Sequence, residues 1–364
     1  MASLLLIDDD EALLSTLAEK VRELLPTSEA TVETWSPSRD DTKPFDVFAS
    51  KIRGDTALVV TDWDLTERGL TGLFGPSIVD WSQARLIPVG DFSRGHAGAL
   101  AKEPNLFEFR IPTEVNAAAA FIAGVGRGFI TIASELSNKP ELLNGRSPSA
   151  VLAGILGVSS RESHFALYGL RLGPTSGPLL GKITSINAVA SAESKPDEMR
   201  SLLTYLLGHL LFNAVLRFSG PIMDSQALAA YVGVSASEIA TISGLVGRAN
   251  YTGPFADLGP YFWTYKVDED LAPLIDALPA DLETETQGEL NRKAIELHLG
   301  QKMARHACNR CQGNNGGFYC PFTARPVCIR ADCSVGSNSW IPQGATLCRI
   351  ERDFYDEWSP ILGF

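Results

Sequence analysis

The sequence predicts an α/β N-terminal third, a mainly helical middle and a C-terminal module organised around a metal. Three observations predict this. Short apolar strands alternate with amphipathic helices over residues 1–125, helical segments dominate the middle, and all six cysteines lie between Cys308 and Cys348. A chain of 364 residues has length for two or three domains. With 45% hydrophobic and 20% charged residues it can build packed cores, and its composition is not that of a disordered chain.

In order, "LLLID" (4–8) reads as a short strand. "DEALLSTLAEKVRELL" (10–25) then sets Leu13, Leu14, Leu17, Val21, Leu24 and Leu25 on one helical face. "ATVETW" (30–35) and "ALVVT" (57–61) are the second and third strands, and "ARLIPVG" (84–90) and "LFEFRI" (106–111) the fourth and fifth. Five strands with helices between them imply a parallel sheet covered on both faces, with ligands beyond the carboxyl ends of its strands. Asp8 and Asp9 follow strand one, and Asp62 follows strand three.

"ALVVTDWDL" (57–65) runs four strand residues and a threonine straight into Asp62, Trp63 and Asp64. A buried strand gains nothing by ending on a carboxylate. Three carboxylates at one sheet edge need a cation, and Mg²⁺ prefers a few carboxylates, water and phosphate oxygens. One carboxylate could then act as nucleophile toward a phosphoryl group. The alternative reading is that Asp8, Asp9 and Asp10 simply cap the first helix.

"LLLIDDDEALL" and "LVVTDWDLTERGLTGL" resemble the acid pair and phospho-acceptor segment of the response-regulator receiver domain, over about the first third of the chain. The resemblance implies a flavodoxin-like fold with Mg²⁺ held by Asp8, Asp9, Asp62 and the backbone carbonyl of Trp63. Asp62 would accept phosphate from a histidine kinase or another phosphodonor protein. Two positions depart from the family. Where it carries a Ser or Thr after strand four, "LIPVGDFSR" offers Asp91, with Ser93 two residues on. Where it carries Lys directly before a Pro, "FEFRIPTEV" offers Arg110, one residue removed from Pro112, as a phosphate clamp. An ionised Asp91 would repel a phosphoryl group. The switch half therefore either reads phosphate differently or belongs to a constitutive docking module.

A helix and the linker "SNKPELLNGRSPS" fill 126–149, and a helical mid-region runs over 150–220. "GPLLGKITS" (177–185) spaces its glycines one residue too closely for a phosphate loop. His209, within the apolar helix "DEMRSLLTYLLGHLLFNAVLRF", reads as a packed or interface histidine. Residues 221–285 read as helix, turn at Gly233, a second helix opened by a Ser235/Glu238 capping box, and a hairpin in "ANYTGPFADLGPYFWTYKVDEDL". That is a winged-helix-like outline. Its second helix lacks Lys and Arg, which favours a protein partner over DNA, with Arg248 and Lys266 as the nearby cations.

The last domain, 286–364, is a Cys-rich zinc module. Cys308-x2-Cys311 forms a two-thiolate knuckle, and Cys328-x4-Cys333 is the neatest second pair for Zn²⁺. Cys320 can replace either member of that pair, His306 is an alternative nitrogen ligand, and Cys348 lies further on. Six cysteines exceed one site, so there is either a partial second site or two spare thiols. Lys302, Arg305, Arg310, Arg325 and Arg330 make the tail locally basic, although the net charge of −12 argues against unspecific nucleic-acid binding.

No basic leader precedes the first apolar run, and the apolar stretches 117–133 and 202–218 are short for bilayer spans. The expectation is a cytoplasmic phosphorylation-responsive signalling protein, acting through its C-terminal region, with a homodimer as one arrangement and the oligomeric state open. Its alternatives are a pseudo-receiver adaptor and a DNA-binding regulator. No catalytic output domain is evident.

Overall fold

The computed structural model describes residues 1–38, 41–66, 73–92, 108–143, 146–169, 196–279, 286–313, 317–336, 338 and 340–362. The chain forms two compact units that interleave along the sequence. The first comprises Met1–Ser147, Leu172–His209 and Gly253–Leu258; the second comprises Pro148–Arg171, Leu210–Thr252 and Gly259–Phe364.

In the first unit, strands β1 (Ala2–Ile7), β2 (Ala30–Trp35), β3 (Thr56–Thr61), β4 (Val89–Asp91) and β5 (Glu108–Arg110) form one parallel sheet in the order β2-β1-β3-β4-β5. Its helices include α1 (Glu11–Leu24), α2 (Pro44–Lys51), α3 (Gly75–Gln83), α4 (Val115–Asn138) and all but the last residue of Pro196–Leu210. β4 is shorter than the sequence suggests, because Ala84 still caps α3 and Leu86 turns through a positive φ of 58°. Residues 106 and 107 of the expected fifth strand lie outside the described residues.

β1 is apolar on both faces, as a strand covered on both sides must be. Leu5 and Ile7 join Trp35, Phe48, Val59 and Ile78 in one cluster. Leu4, on the opposite face, lies where a Cβ on Gly126 of α4 would come within 2.9 Å of it. α1 buries Leu14, Leu17, Ala18 and Val21, whereas Leu24 of the expected apolar face is 46% exposed.

α4 carries an arginine within an apolar stretch, and the fold gives it a use. Arg127 ion-pairs with Glu29 and Asp257, and donates a 2.8 Å hydrogen bond to the Leu24 carbonyl. Gly128, one residue on, admits the Phe255 ring, which an added Cβ would meet at 2.1 Å. Val115–Asn138 and Pro196–Leu216 are long and apolar enough to cross a bilayer by length and composition. However, 56% and 72% of their apolar windows are buried inside the protein. His209 is fully buried, stacked on Phe109 with ring centroids 4.8 Å apart, so it packs as expected.

The second unit is a mixture of short helices and strand pairs. β6 (Ile222–Asp224) leads into helix Ser225–Val232, which Asp224 caps by accepting from the Ala227 N–H at 2.8 Å. Gly233 ends it at φ 71°. Beyond Gly233 the chain departs from the winged-helix outline. The second helix is two short pieces, Ala236–Glu238 and Ile239–Ile242, and the Ser235 side chain makes no capping bond. The expected hairpin is present only in part: Asn250 bridges antiparallel to Phe262 and the Tyr251 N–H donates to the Tyr261 carbonyl at 2.8 Å, while β7 (Tyr261–Trp263) also pairs antiparallel with β6 and Thr264–Asp276 is a helix. The physical reason is the apolar spacing: "TYKVDEDL" buries Val267 and Leu271, four residues apart, which suits a helix and not a strand.

Replacing Gly128 with Ala should lower stability by about 1–3 kcal/mol, despite alanine's better helix propensity, because the methyl overpacks against Phe255. Gly54→Ala, which meets nothing within 4 Å, should be near neutral. Denaturant midpoints of the two variants check this.

Candidate metal centres

The first candidate lies at the carboxyl ends of β1 and β3. Their parallel register pairs Ile7 with Thr61, and the Asp62 N–H donates to the Ile7 carbonyl at 3.0 Å. The next residue of each strand is therefore an aspartate beside an aspartate. One carboxylate oxygen from each of Asp8, Asp9 and Asp62 lies within 4.8 Å of the others. Asp8 and Asp9 are only 6% and 4% exposed, and Asp62 is half-buried.

Helix capping does not account for these positions. Asp10 is the cap, accepting from the N–H groups of Ala12 and Leu13 at 3.0 and 3.1 Å. Asp8 accepts from the Asp10 N–H at 2.8 Å instead. Burial pushes the Asp8 carboxyl up to about 7, with neighbouring Asp62, Asp9 and Asp10 adding to the rise and the Asp10 N–H opposing it. Burial also raises Asp62, although the N–H groups of Trp63 and Asp64 favour its charged form.

Asp64, the second acid of that segment, is a turn former: it accepts from the Thr66 N–H at 3.0 Å and from the Thr66 hydroxyl. The Trp63 carbonyl, expected to complete a metal shell, already accepts from the Gly75 N–H at 2.8 Å. Gly75 itself is a positioning residue that sequence reasoning missed. A Cβ there would meet the Asp62 carbonyl oxygen at 2.4 Å and the Trp63 Cα at 2.9 Å, so only glycine lets α3 begin against the acidic loop. Its sequence signal was the Gly75-Pro76 pair, a helix start that proline at the first turn announces.

Asp91 and Arg110 complete this edge. Register pairs Thr61 with Asp91 and Asp91 with Arg110. Asp91 is buried, and its Oδ1 has no hydrogen-bond partner among the described residues. Burial pushes its carboxyl up to about 7, Glu108 and Asp62 push in the same direction, and the Arg110 charge opposes them. Arg110 is exposed. Ser93 lies outside the described residues.

The second candidate is in the second unit. The Sγ atoms of Cys308, Cys311, Cys328 and Cys333 lie within 4.8 Å of one another, and Cys311 and Cys328 are 3.7 Å apart. Four Zn–S bonds of about 2.3 Å in a tetrahedron set sulfurs about 3.8 Å apart. The donor set thus suits a tetrahedral metal such as zinc. The knuckle is closed by the Cys308 N–H on the Gly313 carbonyl at 3.1 Å, with Gln312 at φ 55°. The Gly313 N–H reaches the Cys311 sulfur at 3.4 Å and lowers that thiol, whereas burial raises Cys328 and Cys333. A divalent cation reverses that penalty by binding thiolates outright.

Two expected ligands stand outside this set. Cys320 is fully buried, and its backbone makes the turn of the hairpin β8–β9 (Phe318–Tyr319 with Pro326–Val327) through bonds to Arg325 and Ala324. Its thiol interacts with that of Cys348, away from the four clustered sulfurs. His306 donates from Nε2 to the Phe318 carbonyl at 3.1 Å and is lowered by burial. Cys348 lies with its sulfur 3.7 Å from the Ser219 carbonyl. The spare-thiol alternative therefore describes Cys320 and Cys348. The basic tail is partly neutralised, since Arg310 pairs with Asp353 and Arg325 with Glu351.

Purified protein should carry one zinc equivalent by elemental analysis. Cys311→Ser or Cys333→Ser should abolish it, and Cys320→Ala with Cys348→Ala should retain it. The acidic edge generates a second expectation. Native Asp8 and Asp91 bind protons up to about pH 7, whereas unfolded aspartates release theirs near 3.8. The native state therefore holds more protons between these limits, and stability falls as pH rises through that window. With zinc retained and Mg²⁺ omitted, the melting temperature should climb as pH drops from 8 to 6. Asp8→Asn should flatten the slope and add roughly 2–4 °C at pH 8, the shift about 1 kcal/mol gives in a domain of this size.

Compared with protein-family models, curated proteins and solved structures, the chain matches none.

Proposed function

We propose that the first unit is a phospho-acceptor domain of the receiver type, with a flavodoxin-like fold, Mg²⁺ at Asp8 and Asp9, and Asp62 as the acceptor. One observation carries the reading: three buried or half-buried carboxylates converge at the carboxyl ends of β1 and β3. In the strand order β2-β1-β3-β4-β5, that is the topological switch point where doubly wound sheets bind ligands. Three acids gathered there are unfavourable without a cation; burial first, and the neighbouring acids after it, raise the proton affinity of Asp8 and Asp62.

In this reading an Asp62 oxygen attacks the donor's phosphorus, the P–N bond to a phosphohistidine breaks, and its electron pair leaves with the imidazole. The metal would offset charge on the transferring oxygens. Asp91, protonated near neutrality, would donate a hydrogen bond to a phosphoryl oxygen where the receiver family uses a hydroxyl. Arg110, its register neighbour, would supply the positive charge. The second unit would pass the signal to another macromolecule. Protein is favoured over DNA, because residues 225–242 hold no Lys or Arg and Arg248 is paired with Asp270.

A second reading is a pseudo-receiver that binds partners without turning over phosphate. The buried acid Asp91, at the position where the receiver family carries a hydroxyl, favours it.

Intact mass after incubation with acetyl phosphate separates the two. The first reading expects one phosphoryl group added, only with Mg²⁺ and not in Asp62→Asn. An unchanged mass with acetyl phosphate and with phosphorylated histidine kinases would leave the pseudo-receiver standing.

A further inference from the structure

The second unit contains a cavity of about 280 Å³ that neither metal centre uses. It opens between helix Glu162–Gly169, the Gly220–Pro221 turn and the first turns of helix Thr264–Asp276. Its size sits just below the usual range for small-molecule pockets, roughly 300–1,000 Å³. The floor is apolar: Phe165 and Trp263 are 0% and 6% exposed. Gly220 and Gly344 are among its lining residues, and a Cβ on Gly344 would strike the buried Tyr168 ring at 2.2 Å. The rim is charged, and it carries both signs.

On one side the Arg161 guanidinium lies 3.8 Å from the centroid of the Tyr265 ring. That stacking fixes the plane of the guanidinium and leaves its N–H edges for a planar anion. On the other side is Asp268. Tyr265 and Asp268 are three residues apart on one helix and therefore neighbours on its surface. The Tyr231 hydroxyl holds one Asp268 oxygen. Among the described residues, neither Arg161 nor Asp268 takes part in a salt bridge. A cation and an anion thus flank one aromatic ring at the mouth of an apolar cavity, without pairing with one another.

A simple anion at this rim would face Asp268, and a simple cation would face Arg161. A zwitterion satisfies both. We propose that this pocket binds a free α-amino acid with an apolar or aromatic side chain. Its carboxylate lies on Arg161, its ammonium on Asp268, and its side chain over Trp263 and Phe165.

The test is calorimetry on the full-length, zinc-containing protein with L-phenylalanine, L-leucine and L-tryptophan. Two analogues of phenylalanine accompany them: 3-phenylpropionate, which lacks the ammonium, and phenethylamine, which lacks the carboxylate. At least one amino acid should bind, and the analogue missing either charge should bind at least about 10-fold more weakly, as loss of a charged hydrogen bond implies. Arg161→Gln and Asp268→Asn should each weaken binding by a similar factor with unchanged melting temperature. No binding by any of the three amino acids would overturn the proposal, as would analogues that bind equally well. The analogue arm needs no variant, so it decides the matter even if a substitution disturbs folding.

Discussion

The register of β1 against β3 is the constraint on which the first unit depends. Because Ile7 pairs with Thr61, the aspartates that follow each strand must share one end of the sheet, and nothing in the side chains themselves would choose that. Apolar burial enforces it. Leu5, Ile7 and Val59 belong to one cluster on one face, and slipping either strand by one residue would carry these side chains to the opposite face, where Leu4 packs against Gly126 of α4. The sheet's core thus holds three mutually repelling carboxyls together. Burial raises the proton affinity of Asp8 and Asp62, and the buried Asp91 extends the same arrangement to β4.

The second unit solves a different problem. Its strand pairs are two or three residues long, too short to persist by ladder bonds alone. Around the cysteines, the hairpin of Phe318–Tyr319 with Pro326–Val327 and the pair Ser334–Val335 with Ile350–Glu351 lie within a few residues of Cys328 and Cys333. Four thiols at tetrahedral spacing could be crosslinked by one metal, beside an apolar set that includes Tyr319, Val327 and Ile350 and the Phe322 ring stacked on Phe354. Metal binding would then add to folding directly, as in other small metal-organised modules. The acidic edge and the thiol cluster also differ in kind: on the proposed reading the first would take a hard cation, whereas the four thiols of the second suit a tetrahedral metal such as zinc.

What could be read from the sequence tracks the range of the interactions. The strands of the first unit, the carboxylates at their ends and the Cys308/Cys311 with Cys328/Cys333 pairing were legible, because each rests on local periodicity or close spacing. Leu24 was misplaced on the α1 face because one residue at the helix end turns away once Leu25 leaves helical geometry. The hairpin expected after Asn250 is reduced to a bridge of Asn250 with Phe262. Tyr261–Trp263 is a strand by composition, but its strand partner is Ile222–Asp224, some forty residues earlier. Gly75 was invisible as a site residue, since its role is a close approach to the Asp62 backbone that no spacing rule encodes.

Asp91 and Arg110 are best understood together. Each would look like a defect in a phosphate site if taken alone: an acid where a hydroxyl is expected, and a fork-shaped cation in place of a flexible ammonium. Side by side in register, they moderate one another. Burial and the neighbouring Asp62 favour the neutral acid, and a neutral carboxyl is a hydrogen-bond donor as a hydroxyl is. Arg110 works against that neutrality. Any anion that drew the guanidinium away from Asp91 would strengthen the proton on Asp91, making a second donor available as the first is engaged. A Ser or Thr cannot be switched in this way, because its hydroxyl donates whether or not a cation stands beside it. On the proposed reading, the altered half of the site would therefore respond to phosphate through proton occupancy in addition to side-chain movement.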